Sequence, residues 1–144
     1  MRRIGNVTVR QADWATDASA LRRVREQVFV REQRVPAELE WDGLDPQCDH
    51  VVAEMGGEAI GTGRLLPDGH IGRMAVIKAA RGQGIGSALL SCLIDLAMVR
   101  GFRSIELNAQ THALPFYRRF GFVPEGDEFI EAGIPHRRMR RDLG

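Results

Sequence analysis

Lysine is almost missing from this chain: of its 20 basic residues, only Lys78 is a lysine. Against 19 acids this leaves a formal net charge of +1, so no strong global field exists to attract a polyanion, and no nucleic-acid partner is expected. The arginines near the C terminus, Arg137, Arg138, Arg140 and Arg141, read as a charged solvent face. Arginine suits planar, two-pronged recognition of phosphate or carboxylate, and that is the use to look for. Cysteine is nearly as scarce. Cys48 and Cys92 are too few and too far apart for a disulfide framework, and Cys92 falls in an apolar helical pattern as a small hydrophobe. Cys48-x-His50 lacks the further ligands a zinc site needs, so no metal is expected. Long apolar runs are absent and residues 1–15 lack a signal-peptide core, which implies a soluble cytoplasmic protein with no membrane partner. There is a single tyrosine, Tyr117.

What is present is enough for a core: 144 residues, 44% hydrophobic and 27% charged, imply one domain over 1–144 rather than disorder or two domains. Its centre is the stretch from Gly72 to Gly101. There Arg81-Gly82-Gln83-Gly84-Ile85-Gly86 separates a short apolar run from a long amphipathic one, an order that predicts strand, tight turn and helix. Glycines let backbone amides approach a ligand, and the helix that follows opens with unpaired N–H groups and the positive end of its dipole. The turn therefore suits an anion such as a pyrophosphate. The spacing does not fit a dinucleotide-binding fingerprint, and no Gly-Lys-Ser/Thr ending marks a Walker-type loop.

Elsewhere the periodicity predicts a first strand over 4–10 and a helix over 13–30 capped by Asp13 or Asp17. An acidic turn or loop follows over 35–46, then an antiparallel meander with strands at 50–55, 59–66 and 70–76. Gly61, Gly63 and Gly72 mark bulges or close backbone approach. The long helix runs from Ile85 to a C′ glycine at Gly101, and a fifth strand over 104–109 returns parallel to the fourth. A short helix over 113–120 follows. A sixth strand begins at Phe122-Val123 and resumes at 127–131, and a last strand over 136–140 completes a terminal hairpin suited to packing two copies as a homodimer.

Two motifs in this order resemble the GNAT N-acetyltransferase superfamily over nearly the whole chain: the turn Arg81 to Gly86 following Met74-Ala75-Val76, and Gln110-Thr111-His112-Ala113-Leu114-Pro115-Phe116-Tyr117-Arg118-Arg119-Phe120-Gly121-Phe122. Val28 to Gln33, Glu40 to Asp45, His50, Gly63-Arg64-Leu65 and Gly133-Ile134-Pro135-His136 are most similar to its small ElaA-like branch. The resemblance implies an α/β fold with a mixed central sheet, flanking helices and a splayed acyl-CoA-binding cleft. It implies acetyl-CoA as cosubstrate and a primary amine of a small molecule or peptide as acceptor. Met74 and Val76 would hold the pantetheine arm through their backbone, while Arg81, Gly82, Gln83, Gly84, Ile85, Gly86 and Ser87 would hold the phosphates. Gln110 stands where many members carry Asn.

For catalysis, Tyr117 matches the tyrosine that would protonate or hydrogen-bond the departing thiolate. The acid that many members carry near the start of the fourth strand is missing, since Gly72 and Arg73 stand there. Glu40 and His50 are the leading candidates for the base, with Asp42, Asp45, Glu131 and His136 behind them. Asp42 and Asp45 equally suit turn capping around Gly43 and Pro46. The missing base also supports a second reading, a catalytically weak or inactive acyl-CoA-binding regulatory protein.

Overall fold

The computed structural model describes residues 2–144 and builds one eight-stranded sheet flanked by helices. The strands are β1 (Arg2–Ile4), β2 (Val7–Ala12), β3 (Asp49–Met55), β4 (Glu58–Leu65), β5 (His70–Val76), β6 (Ser104–Gln110), β7 (Val123–Glu131) and β8 (Ile134–Asp142). They lie in the order β1-β2-β3-β4-β5-β6-β8-β7. Every pairing is antiparallel except β5 with β6.

The expected first strand is two strands. The chain reverses at Gly5-Asn6, with Gly5 at φ 55° and Ile4 opposite Val7. A two-residue Gly-Asn turn is a hairpin signal that strand periodicity alone conceals. The meander is as expected: Gly56 and Gly57, at φ 60° and 79°, form the two-residue turn between β3 and β4. The sixth strand is also unbroken, because its irregular stretch is a bulge around Gly126 rather than a gap.

Helix α1 (Trp14–Arg25) starts where the Asp13 side chain accepts from Ala15 N–H, and it buries Leu21 and Val24 on one face of the sheet. It then widens into a π-helical turn, Glu26–Glu32, closed by Gln33 N–H donating to Val28 O. Such wide turns are uncommon in helices and cluster at functional sites. A short helix α2 (Ala37–Glu40) follows Pro36. On the opposite face lies α3 (Ile85–Val99), which buries Ile85, Leu89, Leu90, Leu93 and Ala97. Gly101 at φ 81° ends α3, with Phe102 N–H bonded to Ala97 O and Gly101 N–H to Met98 O. Helix α4 (Leu114–Arg118) carries Pro115 in its first turn. No helix among the described residues is long and apolar enough to cross a membrane.

Close approach explains two of the strand glycines. A Cβ at Gly61 would lie 2.9 Å from Leu89 Cδ1, and one at Gly63 would lie 2.8 Å from Leu93 Cδ1, so α3 can seat on β4 only because both side chains are missing. Gly72 differs, since a Cβ there would meet nothing within 4 Å.

The feature that opens the sheet is the β5/β6 junction. The two parallel strands pair only at His70–Glu106 and Ile71–Leu107 and then part. On the other edge of β5, Thr62 opposes Ala75 while Arg64 opposes Gly72, so β5 carries an extra residue between them. That bulge holds Arg73 at φ 50°, a conformation costing roughly 1–3 kcal/mol for a residue with a Cβ. A bulge bends its strand, and here the bend falls where β5 leaves β6.

Replacement of Gly63 by Ala is expected to lower stability by about 1–3 kcal/mol through overpacking against Leu93. Gly72→Ala, whose Cβ enters open space, is expected to leave stability nearly unchanged. Urea unfolding of the two variants measures the difference.

Candidate active site

The parted strands form one wall system of a cleft of about 1090 Å³. Its lining comes from the π-helical turn, α2, the bulged part of β5, the free end of β6 and the β7–β8 hairpin. At one end lies the turn between β5 and α3. Gly82 and Gly84 adopt φ 80° and 81°, and a Cβ at either would meet no atom within 4 Å, so their conformation and not crowding calls for glycine. This is the backbone form that turns successive N–H groups toward an anion. Helix α3 begins without a side-chain cap. Gly84 and Ser87 also border a shallower hollow of about 470 Å³ together with Arg2 and Arg3, two basic residues that reading the linear sequence did not bring to this turn. Gln83 is exposed, Ile85 is buried in the core, and Gly86 faces the Phe116 ring.

Arg81 is engaged. Its Nε donates to Val76 O at 2.9 Å, and its two terminal nitrogens donate to Glu32 Oε1 and Oε2 at 2.7 and 2.6 Å. The next residue, Gln33, accepts from Gln110 Nε2 at 3.0 Å through Oε1. Residues 32 and 33 therefore tie the loop after β5 to the end of β6, with two bonds to the first and one to the second.

Met74 and Val76 line the cleft from β5, and Tyr117 lines it from α4. The Tyr117 hydroxyl lies 3.8 Å from Met74 Sδ, a weak acceptor. Its ring meets Phe116 and Phe122 edge-on at 5.1 and 6.1 Å. Burial pushes the phenol up to about 12.

The acidic stretch folds into a closed ring of three arginines and three acids. Arg25 Nε donates to Glu40 Oε2 at 2.7 Å, and Arg73 Nε lies 3.2 Å from the same oxygen. Arg73 reaches Asp42 at 3.3 Å, and Arg64 binds both Asp42 oxygens, at 3.1 and 2.5 Å. Arg64 also donates to Asp45 Oδ1 at 2.9 Å, and Arg25 closes the ring to that oxygen at 2.7 Å. Arg25 is 1% exposed and Glu40 2%. Trp41 caps the ring, with the Arg25 guanidinium 5.0 Å from its centroid. Burial pushes the Glu40 carboxyl above its ordinary range, against the pull of Arg73, Arg25 and Arg64. The hydrogen bonds from Arg64 hold Asp42 well below the usual carboxylate range. For Asp45, burial pushes up but Arg25 and Arg64 prevail and leave it lowered.

Glu40 and Asp42 thus reach the cleft wall with their charges already compensated, whereas His50 does not line the cleft. His50 is 1% exposed, stacks on Trp14 at 4.7 Å, and is joined through Nε2 to Asp45 O at 2.8 Å. Burial lowers its pKa. Glu131 and His136 stand on another wall, on the β7–β8 hairpin. Reading the linear sequence assigned no site role to Arg25, Arg64, Arg73, Glu32 or Gln33, although all but Arg25 fall in stretches named above. One signal existed for Arg25, a charged residue four positions after Leu21 on the apolar stripe of α1.

The family model described as an acetyltransferase (GNAT) domain matches residues 14–143. The chain is 42% identical over 123 residues to the uncharacterized N-acetyltransferase YjcF of Bacillus subtilis, covering 83% of this chain and 88% of that protein. Among solved structures, it is similar to an acyl-CoA N-acyltransferase from Pseudomonas aeruginosa, with TM-score 0.85, 34% identity, and coverage of 94% of this chain and 99% of that one. It is also similar to Escherichia coli ElaA, with TM-score 0.86, 29% identity and coverage of 94% and 99%.

Breaking the ring at Asp45 (Asp45→Ala) leaves two buried guanidiniums short of a partner, and a stability loss of about 3–5 kcal/mol is expected in urea unfolding. Asp42 and Asp45 have folded pKa values below their unfolded ones. The stability they contribute is therefore complete above the unfolded value of about 3.9 and is lost as pH falls through the folded values, while Glu40, shifted upward, works in the opposite sense. A circular-dichroism titration is expected to place the acid transition of the wild type below pH ~4 and to shift it upward when Asp42 is replaced by Asn. At the other end of the cleft, Glu32→Gln frees Arg81 and is expected to tighten coenzyme A binding, with a steeper salt dependence, by calorimetry.

Proposed function

The chain belongs to the GNAT acetyltransferase family, and from that membership we propose that it transfers an acetyl group from acetyl-CoA to a primary amine of a small molecule or peptide. In this reading residues 1–144 act as one catalytic domain. The observation that carries the reading is the parting of β5 from β6 beside a glycine turn at the start of α3. The free edge of β5 offers backbone groups to an extended pantetheine arm, as an added strand would find them. The amides of Gly82 to Ser87 suit the phosphates, and Gln110 suits the arm from the end of β6.

Acetyl-CoA supplies the activated acyl group; the residues of the chain align it and manage charge. A backbone N–H near Val76 would polarise the thioester oxygen. Tyr117 answers the leaving group. A phenol near 12 stays protonated at neutral pH. Full transfer of its proton to a thiolate whose thiol titrates near about 8.5 runs uphill. The role that fits is therefore a hydrogen bond that strengthens as negative charge grows on sulfur. We read Glu40 and His50 as positioning groups, since Glu40 Oε2 faces two guanidiniums and His50 is committed to Asp45 O.

The compensated Glu40 also favours one rival, an acyl-CoA-binding regulator without turnover. Assay of thiol release from acetyl-CoA against a panel of primary amines, with acetylated products identified by mass, separates the two; binding without product from any amine favours the rival. Tyr117→Phe is expected to lower kcat about 100-fold while leaving the Michaelis constant for acetyl-CoA nearly unchanged. Unaltered turnover in that variant would remove the phenol from the chemistry.

A further inference from the structure

The β7–β8 hairpin brings to the cleft a pair of groups that the reading above does not use. His136 is 7% exposed yet lines the cleft. Its Nδ1 lies 2.7 Å from Ile134 O. A carbonyl only accepts, so Nδ1 carries the hydrogen, and in the neutral ring Nε2 keeps its lone pair. The Phe129 ring stacks on the imidazole at 5.9 Å and 22°, and the pairing of His136 with Gln110 fixes its backbone beside the free end of β6.

Nε2 makes no hydrogen bond among the described residues; Glu131 Oε2 lies 3.6 Å away. Asn108 Nδ2 approaches the other oxygen, Glu131 Oε1, at 3.5 Å. Unlike Glu32, Glu40 and Asp42 on the same cleft, Glu131 has no arginine partner among the described residues. Arg138 of the same hairpin pairs with Glu106, and Arg137 donates to Gly126 O. Around the imidazole stand Glu131 and Phe129 from β7 and Gln110 from β6, while the Thr111–Ala113 turn brings His112 to the same cleft. A carboxylate and an imidazole lone pair 3.6 Å apart are two acceptors facing one another, an arrangement that a cationic N–H donor satisfies.

We propose that Glu131 and His136 form the acceptor site for an alkylammonium, with Glu131 holding the cation and His136 Nε2 removing its proton. This rests on the acyltransferase reading and narrows its acceptor to amines that are cations in water, as opposed to aryl amines or alcohols. The ammonium gives one N–H proton to Nε2. The freed lone pair forms the C–N bond as the C–S bond breaks, and the second N–H proton ends on the departing thiolate under the Tyr117 hydrogen bond. The products are the amide, the free thiol of coenzyme A and an imidazolium beside Glu131, which returns its proton to water.

The test begins with isotope-labelled protein saturated with coenzyme A and titrated with ethylammonium chloride, observing the His136 ring nitrogens by NMR. A saturable shift of Nε2 in the wild type, absent in Glu131→Gln, is the expected result; the exposed Glu131 makes that variant a mild one for folding. No saturable shift, or the same shift in Glu131→Gln, overturns the site. Kinetics with the most active alkylamine of the panel give a second readout. His136→Gln is expected to lower kcat/KM at neutral pH by about 100-fold or more and to recover most of it at high pH, where the amine is already neutral. Imidazole is expected to restore part of the activity of His136→Ala. An equal deficit at every pH, without rescue, would make His136 merely structural and sink the proposal. Calorimetry with acetyl-CoA separates the two levels: failure of the wild type to bind it defeats the acyltransferase reading itself, whereas normal binding without an ammonium response defeats only the acceptor site.

Discussion

Two neighbouring parallel strands that pair at only two positions are the constraint from which the rest of this structure follows. A sheet gains by continuing its ladder, so stopping it after Ile71–Leu107 requires a cause. The cause is local: one extra residue in β5, with Arg73 held in the left-handed region, bends the strand away from β6. The unpaired edges that result would be a liability on a sheet's rim. Here they are interior to the sheet, walled by the π-helical turn, α2 and the terminal hairpin, and they become the cleft.

The strained residue is not left to itself. Arg73 is one of three guanidiniums in the ring that links α1, the segment from α2 to Asp45, β4 and β5. Buried ion pairs add little net stability compared with an apolar core, because desolvation offsets much of their attraction. Their geometry is nevertheless demanding, and every break leaves a charge without a partner. The ring is thus better understood as fixing where α2 and the bulge sit than as a source of folding energy. It also explains why an acid-rich stretch near a cleft supplies no free carboxylate at Glu40 or Asp42.

Charge divides the cleft into three regions. Near α3, the turn amides and Arg81 carry positive charge suited to an anion, with Glu32 occupying the guanidinium. Along β5 the ring leaves a compensated wall. On the β7–β8 hairpin, Glu131 stands without an arginine among the described residues. A ligand carrying phosphates at one end and an amine-bearing partner at the other would meet complementary charge at both.

Local patterns carried much of this protein in its sequence. Alternation, the 3.6-residue stripe and turn glycines announced the meander, α3 with its Gly101 end and the terminal hairpin, because each is decided by residues within a few positions of one another. The glycine turn and the single Tyr117 were legible for the same reason. The Gly5-Asn6 reversal was readable but hidden inside an otherwise convincing strand. What only the tertiary structure decided is which charges meet: Arg25, Arg64 and Arg73 come from three separate elements to neutralise Glu40, Asp42 and Asp45, and Glu32 crosses 49 positions to Arg81. The freedom of a carboxylate depends on partners distant in the chain and on burial, and no short window of sequence contains either.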